Sequence, residues 1–345
     1  MTTKYKNVYI KDVATVVGPY ENKGPLSKRF DSHYEDMYFE TDSLEQAETK
    51  LMQDSINLVL NKTSLEKSDL DLFIAGDLQN QIAASSYTAG KLGLPFLGIY
   101  TACATNTEGL IIGSNFVENK TCDNVLVSVS SHNMVAEKQF RNPTEYGAPK
   151  PGTATFTATG GASCILTSKK GKVRLESSTI GVPQDYEQTD PLHMGSVMAP
   201  AAAYTINKHL SDLDRTIDDY DLILTGDLGI YGKSILIDFM KTEYGIDISK
   251  KYNDCGVMLY DLDNQKDVQA GGSGPVCSAL VVYSDIIKKL EKKELKRVLY
   301  VATGALFNPS MVFQKENILS IAHAVSLESV EWYTYIHFYL QELSA

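Results

Sequence analysis

The sequence predicts an α/β fold made of two repeated halves, with mostly parallel or mixed sheets that carry helices on their faces. Residues 71–78 read DLFIAGDL, and residues 221–228 read DLILTGDL, 150 positions later. Each segment is a short apolar run that ends in Gly-Asp-Leu, a pattern typical of a buried strand that stops at a polar loop. A chance recurrence of eight similar residues is the alternative interpretation.

Two further pairs of segments recur in the same order and argue against chance. VLVSV at residues 125–129 matches VLYVA at residues 298–302. Cys103 in the first half has a counterpart in the cysteine of GGSGPVC at residues 271–277. Strand–helix–strand units that are repeated once form a pair of sheets with helices on their faces.

The division between the halves is less well marked than the repeat. A chain of 345 residues is long for one simple core, so two domains or two fused halves are expected. No low-complexity linker separates them, and we place the seam near residues 170–215, in the loop-rich stretch 183–200. The predicted N-terminal half is therefore 1–185, and the predicted C-terminal half is 186–345.

Helical periodicity supports this organisation. Apolar residues in 44–60 fall mainly on one face, and Ser43 with Gln46 three residues later forms a capping-box pattern at its start. Three more helices are predicted, over residues 104–118, over 198–210 with Pro200 near the first turn, and over 278–290.

Composition excludes several function classes. The formal net charge is −11, which disfavours binding to a phosphate backbone, so no nucleic-acid partner is expected. No apolar run is long enough to span a membrane as a helix, and the lysine-bearing N-terminus lacks the apolar stretch of a secretory signal. The five cysteines are widely spread and form no C-x-x-C pair, which indicates a reducing compartment and argues against a structural zinc site.

Cys103 lies where the predicted strand 96–100 turns sharply into a helix. The free N–H groups and the dipole at a helix N-terminus favour a thiolate or a bound anion at that point. An inert, small core residue is the alternative, since this is the common fate of a free cysteine.

Eight long and unusual segments resemble those of a known family. They are AGDLQNQ (75–81), TACATNTEG (101–109), SSHNMVAEKQFRNPTEYG (130–147), PGTATFTATG (151–160), DPLHMGSVMAPAAA (190–203), DYDLILTGDLGIYG (219–232), AGGSGPVCSAL (270–280) and VATGALFNPSMVFQKENILSIAHAVSLE (301–328). On these segments the chain resembles the stage V sporulation protein AD family of endospore-forming bacteria, which is thiolase-like. The resemblance spans about residues 8–328.

The resemblance implies a fold, a ligand and a cellular setting. The fold is the two-fold-repeated, five-layer αβαβα thiolase-like architecture, which typically forms homodimers. The ligand is dipicolinic acid (pyridine-2,6-dicarboxylate), bound during its uptake into the developing spore, either alone or as its calcium chelate. No cofactor and no protein-bound metal are expected. The partners are other stage V sporulation membrane proteins, and the expected location is peripheral, on the cytoplasmic side of the spore inner membrane.

Thiolase-type condensing enzymes need a histidine or asparagine from the second half beside the cysteine, to activate the thiol and to hold an oxyanion. At the two places that match, this chain has Gly226-Asp227-Leu228 and the segment 271–275, without histidine or asparagine. An aspartate raises a neighbouring thiol pKa. We therefore predict no enzymatic activity, although His132 or His323 could still approach Cys103. An acyl-transferring enzyme and a pure scaffold remain the alternatives.

The polar residues near the predicted strand ends suggest a small-acid pocket. Backbone N–H groups and an arginine fork suit a dicarboxylate, and aromatic walls such as Tyr100 or Tyr146 suit a planar ring. Asn106 and Asn133 are further amides in this region. The predicted ligand contacts are Asp77, Asn80, Cys103, Thr105, His132, Arg141, Asp227 and Ser273. Loop capping is the alternative role for the two Gly-Asp-Leu aspartates, and calcium could bridge them to the ligand.

The segment 330–343 holds the only tryptophan and many aromatic residues. Its pattern fits a strand and also a helix face. It is predicted either to pack on the core as one last element or to dock on a membrane or partner protein.

Overall fold

The computed structural model describes residues 1–140 and 150–330, and it folds them into a mixed sheet with helices on its faces. The first elements are β1 (Thr2–Lys4), β2 (Tyr9–Val17), β3 (Ser32–His33), α1 (Leu44–Thr63), β4 (Leu72–Gly76), α2 (Ala83–Leu92), β5 (Phe96–Gly98), α3 (Thr105–Glu118), β6 (Asn124–Ser131), α4 (Asn133–Phe140), β7 (Phe156–Thr157) and β8 (Gly160–Thr167). They are followed by β9 (Val173–Thr179), α5 (Met194–Leu213), β10 (Leu222–Thr225), α6 (Gly229–Tyr244), β11 (Tyr252–Asp254), α7 (Cys255–Leu259), β12 (Gly272–Ser273), α8 (Pro275–Val281), α9 (Ile287–Glu291), β13 (Arg297–Ala305), α10 (Pro309–Phe313) and β14 (Ser320–Ser329).

The strand order repeats in the two halves. It is β5-β4-β6-β8-β2 in the first half and β11-β10-β13-β14-β9 in the second. In each half the first three strands are parallel and the last two join them antiparallel. The two Gly-Asp-Leu segments follow β4 and β10, which hold equivalent places. The predicted two-fold-repeated α/β fold with mixed sheets is therefore confirmed.

The two half-sheets touch through a short strand pairing that the sequence did not predict. Tyr9 and Ile10 of β2 pair with Arg174 and Val173 of β9, so one continuous sheet runs through both halves. In the second half β9 takes the place that β2 has in the first. The structural repeat therefore begins with β9, and the division into domains 1–185 and 186–345 stays a prediction.

Local capping interactions recur with the same 150-residue spacing. Helices α1 and α5 are each 20 residues long, and each ends at a left-handed residue, Ser64 and Asp214. The carboxylate of Asp71 accepts two backbone N–H bonds from the start of β6, and Asp221 does the same for the start of β13. Equivalent positions thus make the same hydrogen bonds to free backbone groups in both halves.

The core is divided into layers because the central strands are buried on both faces. Leu72 and Ile74 of β4 face the middle of the molecule, whereas Phe73 faces outward onto α1. In the second half Leu224 faces the middle and Ile223 faces outward onto α5. Helix α3 and the helical segment that begins with α8 pack between the halves, and the outer helices complete five layers.

Two helix predictions need correction. Helix α5 begins at Met194, four residues before the predicted start, so Pro200 lies inside the helix and not in its first turn. The helix predicted over 278–290 begins earlier, at Pro275, and is interrupted by a π-helical stretch, Val282–Ile286. The predicted Ser43 cap is confirmed, since its hydroxyl accepts a bond from Gln46 N at 3.3 Å.

Candidate functional site

Cys103 lies in a tight turn between β5 and α3. Ala102 has φ 51°, a left-handed conformation that is unusual for a residue with a side chain. The turn is held by Thr105, whose hydroxyl donates to Ala102 O at 2.6 Å and accepts from Thr101 N at 3.1 Å. It packs so closely on β13 that a Cβ at Gly304 would overlap the carbonyl oxygen of Thr101. The structure therefore fixes the thiol just before the long central helix, as the sequence predicted.

Residues from three other chain segments form a hydrogen-bonded cluster beside the thiol. Ser273 Oγ lies 3.8 Å from Cys103 Sγ, and it donates to Asp227 Oδ2 at 3.1 Å. Asp227 also accepts from Gly274 N at 3.2 Å and from Thr303 Oγ1 at 2.8 Å. Thus Cys103 and Asp227 belong to one cluster, a relationship that the sequence left undecided.

Burial and charge raise the pKa values of both acidic groups in this cluster. Burial raises the pKa of the Cys103 thiol well above its ordinary value, and the nearby Asp227 carboxylate raises it further. Burial also raises the pKa of Asp227 to about 7, against the hydrogen bonds that favour its charged form. Cys103 is therefore a neutral thiol at neutral pH, which is the effect predicted for an aspartate beside a cysteine.

A cavity of about 630 Å³ opens over Cys103 and Ser273. Its walls are mainly apolar and include the aromatic rings of Tyr100, Phe140 and Phe307. Burial raises the pKa of Tyr100 to about 12, so its hydroxyl stays neutral. The cavity is thus large enough for a small ring compound and is lined suitably for one.

One charged pair lies in the cavity wall. Lys150 Nζ is 2.7 Å from Glu137 Oε1, and both residues line the cavity. Asn133, four residues before Glu137 on α4, also lines it and is 6% exposed. Its Nδ2 is buried and has no hydrogen-bond partner among the described residues. The Asn133 amide therefore adds an unfilled hydrogen-bond donor to a mainly apolar wall.

The predicted ligand contacts are only partly brought together. Cys103 and Ser273 line the cavity, and Asp227 lies directly beneath them with 1% exposure. Asn80 is exposed and lines an adjacent depression of about 490 Å³ that shares Tyr100 with the cavity. Arg141 and Tyr146 lie outside the described residues.

Asp77 is buried and serves the local backbone. Its carboxylate accepts from Gln79 N at 2.9 Å, from Ser85 N at 2.8 Å and from Ser85 Oγ at 2.6 Å. Burial raises its pKa. These contacts agree with the loop-capping interpretation, and Asp77 does not line the cavity. In the second half the comparable cap is Asp254, which accepts from Leu228 N and Gly229 N.

The two histidines that could have activated Cys103 are engaged elsewhere. His132 is buried, its Nε2 contacts Met37 O at 2.9 Å, and its Nδ1 accepts from Met134 N at 3.2 Å. His323 Nδ1 accepts from Gly181 N at 3.1 Å, and burial lowers its pKa to about 4. Neither residue lines the cavity, so neither is placed to take a proton from the thiol.

Sequence reasoning missed Lys150, Glu137 and the wall formed by α10. Helical spacing was the available signal for α4, because Asn133, Glu137 and Phe140 follow each other at four- and three-residue steps on one face. No comparable signal marks Lys150, which precedes the family-resembling segment 151–160 and joins the site only through the fold.

Comparison with known proteins identifies the family. The family model for stage V sporulation protein AD matches residues 2–328. The chain belongs to the stage V sporulation protein AD family. Stage V sporulation protein AD of Bacillus subtilis (strain 168) is 47% identical over 321 residues, which cover 93% of this chain and 94% of that protein. The resemblance seen in the sequence is therefore confirmed, and the chain is a sporulation protein.

Solved structures confirm the thiolase-like fold of this family member. A variant of OleA from Xanthomonas campestris superposes with a TM-score of 0.59 at 16% identity, covering 94% of this chain and 99% of that one. The 3-oxoacyl-[acyl-carrier-protein] synthase III of Aquifex aeolicus VF5 superposes with a TM-score of 0.57 at 14% identity, covering 93% and 99%. Within residues 1–140 and 150–330, no helix is both long and apolar enough to cross a membrane.

Proposed function

We propose that this sporulation protein binds dipicolinic acid, without chemical conversion, in the cavity over Cys103. The observation that carries the proposal is the Cys103–Ser273–Asp227 cluster. It places a neutral thiol and a hydroxyl, instead of an activated nucleophile, on the floor of a cavity of ring-compound size. The identity of the ligand rests on the family resemblance.

The surroundings of the thiol support a binding role. Condensing chemistry needs a thiolate or a group that takes the thiol proton. No histidine is among the described residues that line the cavity, and the carboxylate beside Cys103 raises the pKa of the thiol. A resting thiol next to a satisfied aspartate is an unreactive surface that a ligand can contact.

The polar wall supports an acidic ligand. Lys150, which pairs with Glu137, supplies a cation, and the hydroxyl of Thr157 and the amide of Asn133 supply donors. A carboxylate bound there would form charge-assisted hydrogen bonds. Asp227 opposes a dianion less than an ordinary carboxylate would, because its pKa of about 7 leaves it partly neutral and three donors already bond to it.

Apolar walls support a planar ring. Phe140 and Phe307 lie 5.8 Å apart between ring centroids at an angle of 45°, and both line the cavity with Tyr100. Aromatic side chains bury a flat ring while leaving its polar edge free for hydrogen bonds. Titration with and without calcium distinguishes binding of the free acid from binding of its calcium chelate.

The cellular setting is also part of the proposal. The chain would act as a peripheral protein on the cytoplasmic side of the spore inner membrane, together with other stage V sporulation membrane proteins. A homodimer is expected, and the open edge of β5 supports it. This strand pairs only with β4 among the described strands, and Leu97 in it is exposed.

Calorimetric titration of the cavity tests the proposal. Dipicolinate should bind saturably, and Lys150→Gln should weaken its binding about tenfold or more, because a charged partner of a carboxylate is lost. Lys23→Gln, an exposed lysine elsewhere, is the matched control and should bind as the parent does. Equal affinity in both variants would show that this cavity is not the site.

An acyl-transferring enzyme is the second candidate. It is favoured by the half-buried thiol that faces a mainly apolar cavity. Incubation with an acyl-CoA should then add one acyl group to the intact protein, and the addition should disappear in Cys103→Ala. A chain that neither binds dipicolinate nor accepts an acyl group would instead fit a scaffold role.

A further inference from the structure

Ser273 connects the cavity to a buried carboxylate. Its residue lines the cavity over Cys103, and its hydroxyl donates to Asp227 Oδ2 at 3.1 Å. Asp227 is 1% exposed and does not line the cavity, and its other bonds come from Gly274 N at 3.2 Å and Thr303 Oγ1 at 2.8 Å. Because its oxygens are bonded to protein donors, Asp227 acts on a ligand through Ser273 and not by direct contact.

The protonation state of Asp227 decides where the Ser273 hydrogen points. A serine hydroxyl has one hydrogen and donates one hydrogen bond at a time. While Asp227 is ionised, that hydrogen points at its carboxylate, and a ligand in the cavity meets the lone pairs of the serine oxygen. When Asp227 is protonated, its own O–H can donate to Ser273 Oγ, and the serine hydrogen is free to point into the cavity. The protonated state therefore offers a ligand carboxylate one more donor and one less negative charge.

The equivalent aspartate in the first half forms a similar pair that has no access to the cavity. Asp77 Oδ2 accepts from the hydroxyl of Ser85 at 2.6 Å. Ser85 is fully buried and does not line the cavity. Of the two carboxylate–serine pairs, the one in the second half is thus the one whose serine a ligand can reach.

Asp227 is the group of this cluster that titrates near neutral pH. Burial is the main cause that raises its pKa to about 7, and the charge of Asp254 adds to this effect. The hydroxyl of Thr303 opposes it by bonding to the charged form.

The other titratable groups that face Asp227 do not replace it in this role. Burial raises the pKa values of the three nearby thiols well above their ordinary value, so they stay neutral, and they are Cys103, Cys255 and Cys277. Asp254 is fully buried, bonds to Thr225 Oγ1 and to two backbone N–H groups, and does not line the cavity. In the cavity wall, Lys150 and Glu137 pair with each other.

We propose that Asp227 is a positioning residue that couples ligand binding to proton uptake, by turning the Ser273 hydroxyl toward a ligand carboxylate. The proposal rests on the function proposed for the cavity and states the condition under which the cavity binds. A pyridine dicarboxylate is ionised at neutral pH, since ordinary carboxyl pKa values are about 4, so the proton is taken up by the protein. Affinity is therefore high below the pKa of Asp227 and is lost as pH rises through about 7.

Calorimetric titration with dipicolinate, in buffers that differ in ionisation enthalpy and contain a calcium chelator, measures this proton uptake. We expect at least about half a proton per bound ligand near pH 7.5, and an affinity that falls about tenfold between about pH 6 and about pH 8. Asp227→Asn carries an amide that can donate to Ser273 at every pH. Its affinity should not change over this range, and its proton uptake should be close to zero.

Two further variants separate the serine from charge alone. Ser273→Ala should bind about tenfold more weakly than the parent at about pH 6 and nearly as well at about pH 8, because the ionised aspartate already occupies the hydroxyl there. Thr303→Val keeps the carboxyl but removes a bond to its charged form, so the fall in affinity should move to higher pH by about half a unit or more.

Asp77→Asn is the matched control, since it removes the equivalent buried carboxylate away from the cavity, and it should keep the pH dependence of the parent. Binding without proton uptake, or a pH dependence that persists in Asp227→Asn, overturns the coupling and leaves the binding function in place. An equal loss in Ser273→Ala at both pH values, or an unshifted pH profile in Thr303→Val, also overturns it. A parent protein that binds no dipicolinate at any pH overturns the proposed function and the coupling together.

Discussion

The hydroxyl of Ser273 donates to Asp227 at 3.1 Å while lying 3.8 Å from the thiol of Cys103. The serine hydroxyl thus lies between the Asp227 carboxylate and the Cys103 thiol. Because Asp227 is satisfied by three donors, it stabilises the turn around Ser273 and Gly274 rather than withdrawing a proton from the thiol.

Asp227→Asn should make Cys103 more reactive. Removing the buried negative charge removes one cause of the raised thiol pKa, so the thiolate fraction at a given pH increases. We expect alkylation by iodoacetamide at pH 8 to become about threefold faster or more. Asp77→Asn, a second buried carboxylate that does not contact Cys103, is the control, and an equal acceleration there would contradict the account.

Gly304→Ala should destabilise the turn that holds Cys103. A methyl group on β13 would overlap the carbonyl oxygen of Thr101, so either the turn or the strand must move. The expected loss is about 1–3 kcal/mol in the free energy of unfolding, measured with urea. Gly90→Ala is the control, since it lies in α2 with open space around it, and it should be stabilising or neutral.

Asn133→Leu should separate stability from binding. The Nδ2 of Asn133 has no partner within the described part of the chain, so its loss should change the unfolding free energy by less than about 1 kcal/mol. Dipicolinate affinity should fall, because a donor in the cavity wall is removed. Asn106→Leu offers the contrast: its amide bonds to Tyr300 and Tyr283, and it should cost about 2 kcal/mol or more.

Glu21 should make stability depend on pH. Its carboxylate is buried, accepts from Tyr260 OH and Thr159 N, and has its pKa raised by burial from 4.5 to about 7. The folded state therefore holds this proton more tightly than the unfolded state, and the resulting stability is lost as pH rises from about 4.5 to about 7.

Glu21→Gln should remove that dependence. Relative to the parent, the variant should gain about 2–3 kcal/mol of unfolding free energy between pH 4.5 and pH 7.5, measured with urea. Glu294→Gln is the control, because this side chain is exposed on a surface turn, and its difference from the parent should stay constant over the same range. If the difference in unfolding free energy between Glu21→Gln and the parent is also constant over this pH range, the prediction is contradicted.

Much of the fold could be predicted from the sequence because it depends on local and periodic signals. The strands before the two Gly-Asp-Leu segments, the Ser43 cap and the turn at Cys103 all follow from residue pattern. Pro200 was misplaced because the helix is stabilised by packing upstream of it, where propensity gives no start signal.

The site was predicted less completely, because identical local strings have different long-range partners. Both Gly-Asp-Leu aspartates follow equivalent strands, yet Asp77 bonds to Ser85 in its own half, whereas Asp227 bonds to Ser273 and Thr303. Only the fold decides which aspartate reaches the cluster beside Cys103. The same holds for Lys150, which meets α4 through tertiary structure alone.

Protection of Cys103 tests the central claim most directly, since it reports occupancy of this cavity and no other. The alkylation rate of Cys103, followed by peptide mass spectrometry, should fall about tenfold or more when dipicolinate saturates the protein, because bound ligand covers the thiol. The four other cysteines are buried and serve as internal references. Saturable dipicolinate binding with an unchanged Cys103 rate would contradict the account.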